Sequence, residues 1–236
     1  MTNFYFSYKT FIFYCAFLIP IIICGIHFFT FRSKRQHFKS ALRTVVRFNL
    51  KERIFHFIRS LSFILVVVSG LFFVSNQESI AASILHGING WVFVLISFAT
   101  IYIWIKDAIF YDYDKQWLRH MGNYFNKEHT PLPSGKFNAG QKIFFWLTSL
   151  LSIFFMITGI LLIRAQGEQY YWFEIVLTFH GIAAALTVSL IIGHIYLSLM
   201  ANPGTFHVLF DGKVSKEWAL YHHPNWKTDV KKNKHR

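Results

Sequence analysis

A chain of 236 residues that is 54% hydrophobic, with 28 phenylalanines and a mean hydropathy of +0.37, is too apolar to carry the polar shell of a soluble domain. The formal charge of +13 raises nucleic acid as a partner, but the basic residues are sorted by loop and not gathered on one surface. The composition therefore excludes a nucleic-acid partner and makes membrane lipid the solvent.

Five stretches are long enough to cross a hydrocarbon core, which takes about 20 helical residues. They run approximately Phe11–Phe31, Phe55–Val74, Ile84–Ile105, Ile143–Ile163 and Phe173–Met200. The first is longer than a signal-peptide core, lacks a small-x-small cleavage site and is followed at once by "FRSKRQHFK", which stops transfer, so it is expected to remain a true helix. Cys15 and Cys24 stand nine residues apart on it, about 13 Å along the axis, too far to bridge, and are read as packing residues. With no C-x-x-C or C-x-x-C-H, the chain has no ligand set for an iron–sulfur cluster and no covalent haem attachment.

Segment 32–53 holds 8 Lys and Arg, segment 106–142 holds 6 and the tail from Ala201 holds 7, whereas the alternate connections hold almost none. By the positive-inside rule this places the amino terminus outside and the carboxyl terminus in the cytoplasm. The middle loop contains "HTPLPSGKFNAGQK", in which Pro131, Pro133 and Gly135 mark turns before a helix resumes. The tail closes on "KTDVKKNKHR", a solvated charge run expected to fray.

Of 12 histidines, His27, His56, His86, His180 and His194 lie in or at the edge of the spans. A single one is ordinarily an interfacial ring or an interhelical hydrogen bond. Depth favours more: His56 and His194 fall toward the cytoplasmic side, His86 and His180 toward the outer side. His180 and His194 are 14 residues apart, nearly four turns, so one face offers a ligand in each leaflet, roughly 21 Å apart. Two imidazoles from facing helices make a six-coordinate haem that moves electrons. The expected pairs are His56 with His194 and His86 with His180, and His27 is read as interfacial. Gly70, Gly87, Gly90, Gly159, Gly181 and Gly193 allow either a flat ring or a neighbouring helix to come close. Arg53 reads as a haem propionate partner or as one more positive-inside residue. A haem-free transporter, proton channel or anchor is the alternative of another class; buried relays more often include carboxylates, and Glu174 is the sole acid in the five spans.

"KERIFHFIRSLSFILVVVSG", "ASILHGING", "KFNAGQKIFFW", "LTFHGIAAALTVSLIIGHIY" and the tail "GKVSKEWALYHHPNW" together resemble the b-type cytochrome (gamma) subunit of respiratory, membrane-bound formate dehydrogenase, over roughly residues 50 to 228. The resemblance implies an all-α four-helix dihaem cytochrome b bundle, residues 51–200, with a cytoplasmic tail, residues 201–236. Residues 1–50, an extra span and a basic loop, depart from that pattern, and the extra helix is expected to pack outside the four-helix core or against a partner, without a ligand. The four membrane histidines fall on the family's four haem ligands.

The resemblance also implies a molybdenum or tungsten catalytic (alpha) subunit, an iron–sulfur (beta) subunit that feeds the outer haem, and reduction of a quinone, expected to be menaquinone, on the cytoplasmic side of a bacterial inner membrane. The chain itself would be an electron-transfer subunit. The implied quinone pocket lies beside His194 and uses Asn138, Gly140 and Gln141, whose amides can supply hydrogen bonds without charge; Asn138 also reads as an ordinary N-cap. Cytochrome b subunits of nickel–iron hydrogenases and of thiosulfate or polysulfide reductases share the architecture and are the runner-up, which the "NAGQK" turn and the tail disfavour.

Overall fold

The computed structural model describes residues 2–31, 42–125, 130–165, 172–202 and 205–226. In chain order these form α1 (Thr2–Phe31), β1 (Arg43–Val46), α2 (Leu50–Val74), α3 (Ile80–Trp104), α4 (Asp112–Arg119), α5 (Ala139–Arg164), α6 (Phe173–Tyr196), α7 (Val208–Asp211), β2 (Lys213–Ser215) and α8 (Lys216–His222). Helices α1, α2, α3, α5 and α6 are long and apolar enough to cross a membrane. They coincide with the five expected spans, and α6 runs on into a π turn at Leu197–Ala201. The charge run at the tail's end lies outside the described residues.

Most helices begin earlier than the apolar runs, for identifiable reasons. In α1, Lys9 and Thr10 are not a polar flank: Lys9 Nζ donates to the Phe73 carbonyl at 2.8 Å and Thr10 Oγ1 to the Val74 carbonyl at 3.2 Å, satisfying acceptors that the end of α2 leaves open. Helix α2 opens on a reciprocal capping box, in which the Glu52 N–H donates to Asn49 Oδ1 at 2.9 Å and the Asn49 N–H to Glu52 Oε2 at 2.8 Å. Helix α5 opens likewise: the Gln141 N–H donates to Asn138 Oδ1 at 2.9 Å and the Asn138 N–H to Gln141 Oε1 at 3.0 Å.

Two compact units divide the chain. The first comprises Met1–Ile23, Phe55–Ile101 and Thr148–Gly193. Here α1 lies against α6 and the end of α2 through Phe13, Val74 and Ala185, and Ser189 Oγ donates to the Ala16 carbonyl at 2.9 Å. Gly181 serves this packing: a Cβ there would collide with the hydroxyl of Tyr5. That removes Gly181 from the glycines expected to make room for a flat ring.

The second unit comprises Cys24–Ile54, Tyr102–Leu147 and His194–Arg236. Lys136 Nζ bridges Glu52 Oε1 at 2.5 Å and Asp107 Oδ2 at 3.1 Å, while Trp104 Nε1 donates to Glu52 Oε1 at 2.9 Å. Lys142 is buried and paired with Asp114 at 2.7 Å. The tail is folded: β1 and β2 pair antiparallel, Val45 opposite Val214 and Val46 opposite Lys213, over a core of Val45, Val208, Val214, Trp218 and Ala219. This small sheet is absent from the all-α expectation. His27 is not merely interfacial: Nδ1 lies 2.5 Å from the Tyr196 hydroxyl, and Nε2 is 3.1 Å from the Tyr124 carbonyl. Both ring nitrogens are thereby occupied.

Candidate functional site

The expected site residues divide between the units. His56, His86 and His180 fall in the first; His194, Arg53, Asn138, Gly140 and Gln141 fall in the second.

His86 and His180 face each other, with ring centroids 6.3 Å apart and planes inclined at 59°. A metal bound at about 2 Å from each of two imidazole nitrogens sets ring centres roughly 6 Å apart, so this spacing fits one iron between them. The hydrogen bonds select the nitrogens. Ser69 Oγ donates to the Leu65 carbonyl at 2.7 Å in its own helix, so toward His86 Nδ1, 3.1 Å away, it can only accept. Thr158 Oγ1 donates to the Phe154 carbonyl at 2.8 Å and accepts from His180 Nδ1 at 2.8 Å. Both rings therefore hold their proton on Nδ1, which leaves each Nε2 lone pair available as a ligand.

The walls suit a flat apolar group. Phe73 stands edge-on to His86 at 5.5 Å and Phe155 to His180 at 5.2 Å. Gly70 brings the α2 backbone so near His86 that a Cβ would stand 3.4 Å from Cε1. At Gly87, Gly90, Gly159 and Gly193 a Cβ would meet nothing within 4 Å, so helix packing does not demand glycine there. The residues present fit a bis-histidine haem.

His56 is half-buried in α2 and its carbonyl accepts from Ser60 Oγ at 2.8 Å. His194 lies flat on Phe144, with centroids 4.3 Å apart and planes within 6°. Arg53 Nη1 donates to the Phe210 carbonyl, and its buried Nε has no partner among the described residues. The capping box commits the side-chain oxygens of Asn138 and Gln141, so what they can offer a carbonyl ligand is amide N–H. At Gly140 a Cβ would come within 2.6 Å of the Trp117 ring, so close packing alone requires glycine there.

Sequence reasoning passes over three side chains: Ser69 and Thr158, which face the histidines, and Arg59, one turn beyond His56. The signal for Arg59 is a lone cation inside an apolar span. Just after β1, Arg47 is buried between Phe48 and Trp218 of the tail, its guanidinium 5.2 and 4.7 Å from the ring centres, and burial lowers its pKa to about 9. Burial, then the charge of Arg47, lowers His222 to about 3 and His223 well below its ordinary value.

Residues 47–212 match the family described as prokaryotic cytochrome b561; α1 lies before the match. The formate dehydrogenase cytochrome b556(fdo) subunit of Escherichia coli strain K12 is 30% identical over 203 residues, covering 80% of this chain and 94% of that protein. The nitrate-inducible cytochrome b556(Fdn) subunit of the same strain is 28% identical over 211 residues, with 82% and 94% covered. The formate dehydrogenase cytochrome b556 subunit of Haemophilus influenzae is 25% identical over 198 residues, with 77% and 82% covered.

Proposed function

The chain belongs to the prokaryotic cytochrome b561 family, and from that premise we propose that it is the membrane cytochrome b subunit of a formate dehydrogenase, with two b haems, an outer one on His86 and His180 and an inner one on His56 and His194. Its five apolar helices and its family make it a multi-pass protein of the bacterial inner membrane. The observation that carries the proposal is the His86–His180 pair, spaced for one iron, with each Nδ1 within hydrogen-bond distance of a hydroxyl.

A haem held by His86 and His180 would supply a one-electron carrier with no open site for oxygen chemistry. The protein's part is to hold and insulate it. Ser69 and Thr158 fix the tautomers and orient the rings before any iron arrives. Phe73 and Phe155 keep water from the rings. His194, flat against Phe144, is held in one plane, the preorganisation an axial ligand requires.

The chain stands, on this reading, between an iron–sulfur subunit at the outer face, fed by a molybdenum or tungsten catalytic subunit, and a quinone, menaquinone by expectation, at the cytoplasmic face. The sorting of basic residues supports that orientation, with the amino terminus outside and the carboxyl terminus in the cytoplasm. Asn138 and Gln141 present amide N–H groups at the start of α5 to a quinone carbonyl, with Gly140 in the same turn. Arg53 retains guanidinium N–H groups for a propionate.

Purifying the chain with the subunits that accompany it and adding formate tests this directly. Reduced b-type absorbance bands should develop, and they should fail to develop in a His86→Ala complex. Bands that respond to dithionite but never to formate would reject the donor, and a colourless protein would reject the haems.

A further inference from the structure

We propose that Arg59 is a carboxylate-binding residue within the first unit and that its ligand is a propionate of the haem held by His56. This rests on the haem reading above and deepens it.

Arg59 lies within the membrane-spanning part of α2. Its Nη1 donates to Thr100 Oγ1 at 3.3 Å and its Nη2 to Ser152 Oγ at 3.5 Å, and the Phe93 ring centre is 5.7 Å away. Both hydrogen bonds are longer than the usual N–H···O range. Both acceptors are neutral hydroxyls already donating within their own helices, Thr100 to the Ser97 carbonyl and Ser152 to the Thr148 carbonyl, each at 2.8 Å. Two of the five guanidinium N–H groups are thus weakly used, and three have no protein acceptor among the described residues.

No carboxylate among the described residues lies within 4 Å of Arg59. The acids of this unit are Glu78, Glu168 and Glu174. Glu78 follows the far end of α2, about 22 Å along the axis from Arg59, Glu174 sits in the first turn of α6, and Glu168 precedes that helix in sequence. An uncompensated cation at membrane depth is costly to bury. A chain that keeps one there gains by binding an anion, and a planar guanidinium fork matches a carboxylate in bidentate fashion.

The position on α2 selects the haem. Arg59 follows His56 by three residues, about 4.5 Å along the axis and roughly 60° around it. It precedes Ser69, at the level of the His86–His180 pair, by ten residues, about 15 Å. Haem carries two carboxylates and no other anionic substituent, so a propionate of the His56 haem is the anion within reach.

The full-length chain, stripped of haem in detergent, is titrated with iron protoporphyrin IX and with its dimethyl ester, in wild type, Arg59→Gln and Arg59→Lys. Wild type should take up two equivalents of protoporphyrin. Arg59→Gln should bind at one site at least tenfold more weakly, the loss expected for a charge-assisted pair, while the ester binds both proteins equally and Arg59→Lys falls between. Undiminished uptake at the His86–His180 site shows that the variant is folded. Unchanged protoporphyrin affinity in Arg59→Gln, an equal loss for the ester, or loss of both sites would overturn the assignment. Wild type that takes up neither porphyrin would overturn the haem reading itself, and this assignment with it.

Discussion

Ser69 and Thr158 each spend a hydroxyl proton on their own helix, and that local economy decides which nitrogen of each facing histidine remains free. Replacing Ser69 by Ala, or Thr158 by Val, removes the hydroxyl facing one Nδ1 in an apolar interior, at a cost of about 1–3 kcal/mol. It also lowers the basicity of that imidazole, so the ferric state gains less from it and the midpoint potential of the outer haem should rise. Redox potentiometry of either variant checks this, and a potential identical to wild type would contradict the hydroxyl's role. The proximity of His86 and His180 is legible in the sequence, because ionisable rings inside apolar runs stand out and helix direction gives each an expected depth. Ser69 and Thr158 are not legible, since a hydroxyl in a helix most often bonds only to its own backbone. Arg59 is visible as a charge, but only the structure shows that no carboxylate among the described residues meets it.

At the level of elements, the sequence places the five spans but misplaces their starts, because hydropathy reports where apolar residues begin and not where hydrogen bonding begins. Asn49 with Glu52 and Asn138 with Gln141 are capping boxes, and each starts a helix ahead of its apolar run. The strands Arg43–Val46 and Lys213–Ser215 escape notice for another reason: they are short, and their partners are nearly 170 residues apart in sequence. The tail they organise also makes a pH prediction. His223 is buried with Nδ1 2.7 Å from the Gly135 carbonyl, and His222 is lowered to about 3. Both pKa values lie below the ordinary 6.5, so beneath that pH the unfolded tail binds more protons than the folded one. Stability is therefore fully present above pH 6.5 and lost as pH falls toward 3, by up to about 1.4 kcal/mol per pH unit for each ring. Thermal melts of the full chain between pH 7 and pH 4 should show this loss, and a His222→Gln, His223→Gln double variant should show a shallower one. Equal slopes would contradict it.

Five spans put the two termini on opposite sides, and on the proposed orientation His86 with His180 is expected toward the outer face and His56 with His194 toward the cytoplasmic one. The match to prokaryotic cytochrome b561 starts at Arg47, after α1, so the family's common part has its four spans in α2, α3, α5 and α6. Helix α1 adds a packing partner for α6, through Ser189 with Ala16 and through Tyr5 with Gly181, and its own histidine is tied to Tyr196. The most direct test of the account is a haem count on the purified full chain combined with low-temperature electron paramagnetic resonance. Two b haems per chain, both low-spin and six-coordinate, are predicted; one haem per chain, or a high-spin signal from an iron lacking one of its imidazoles, would contradict it.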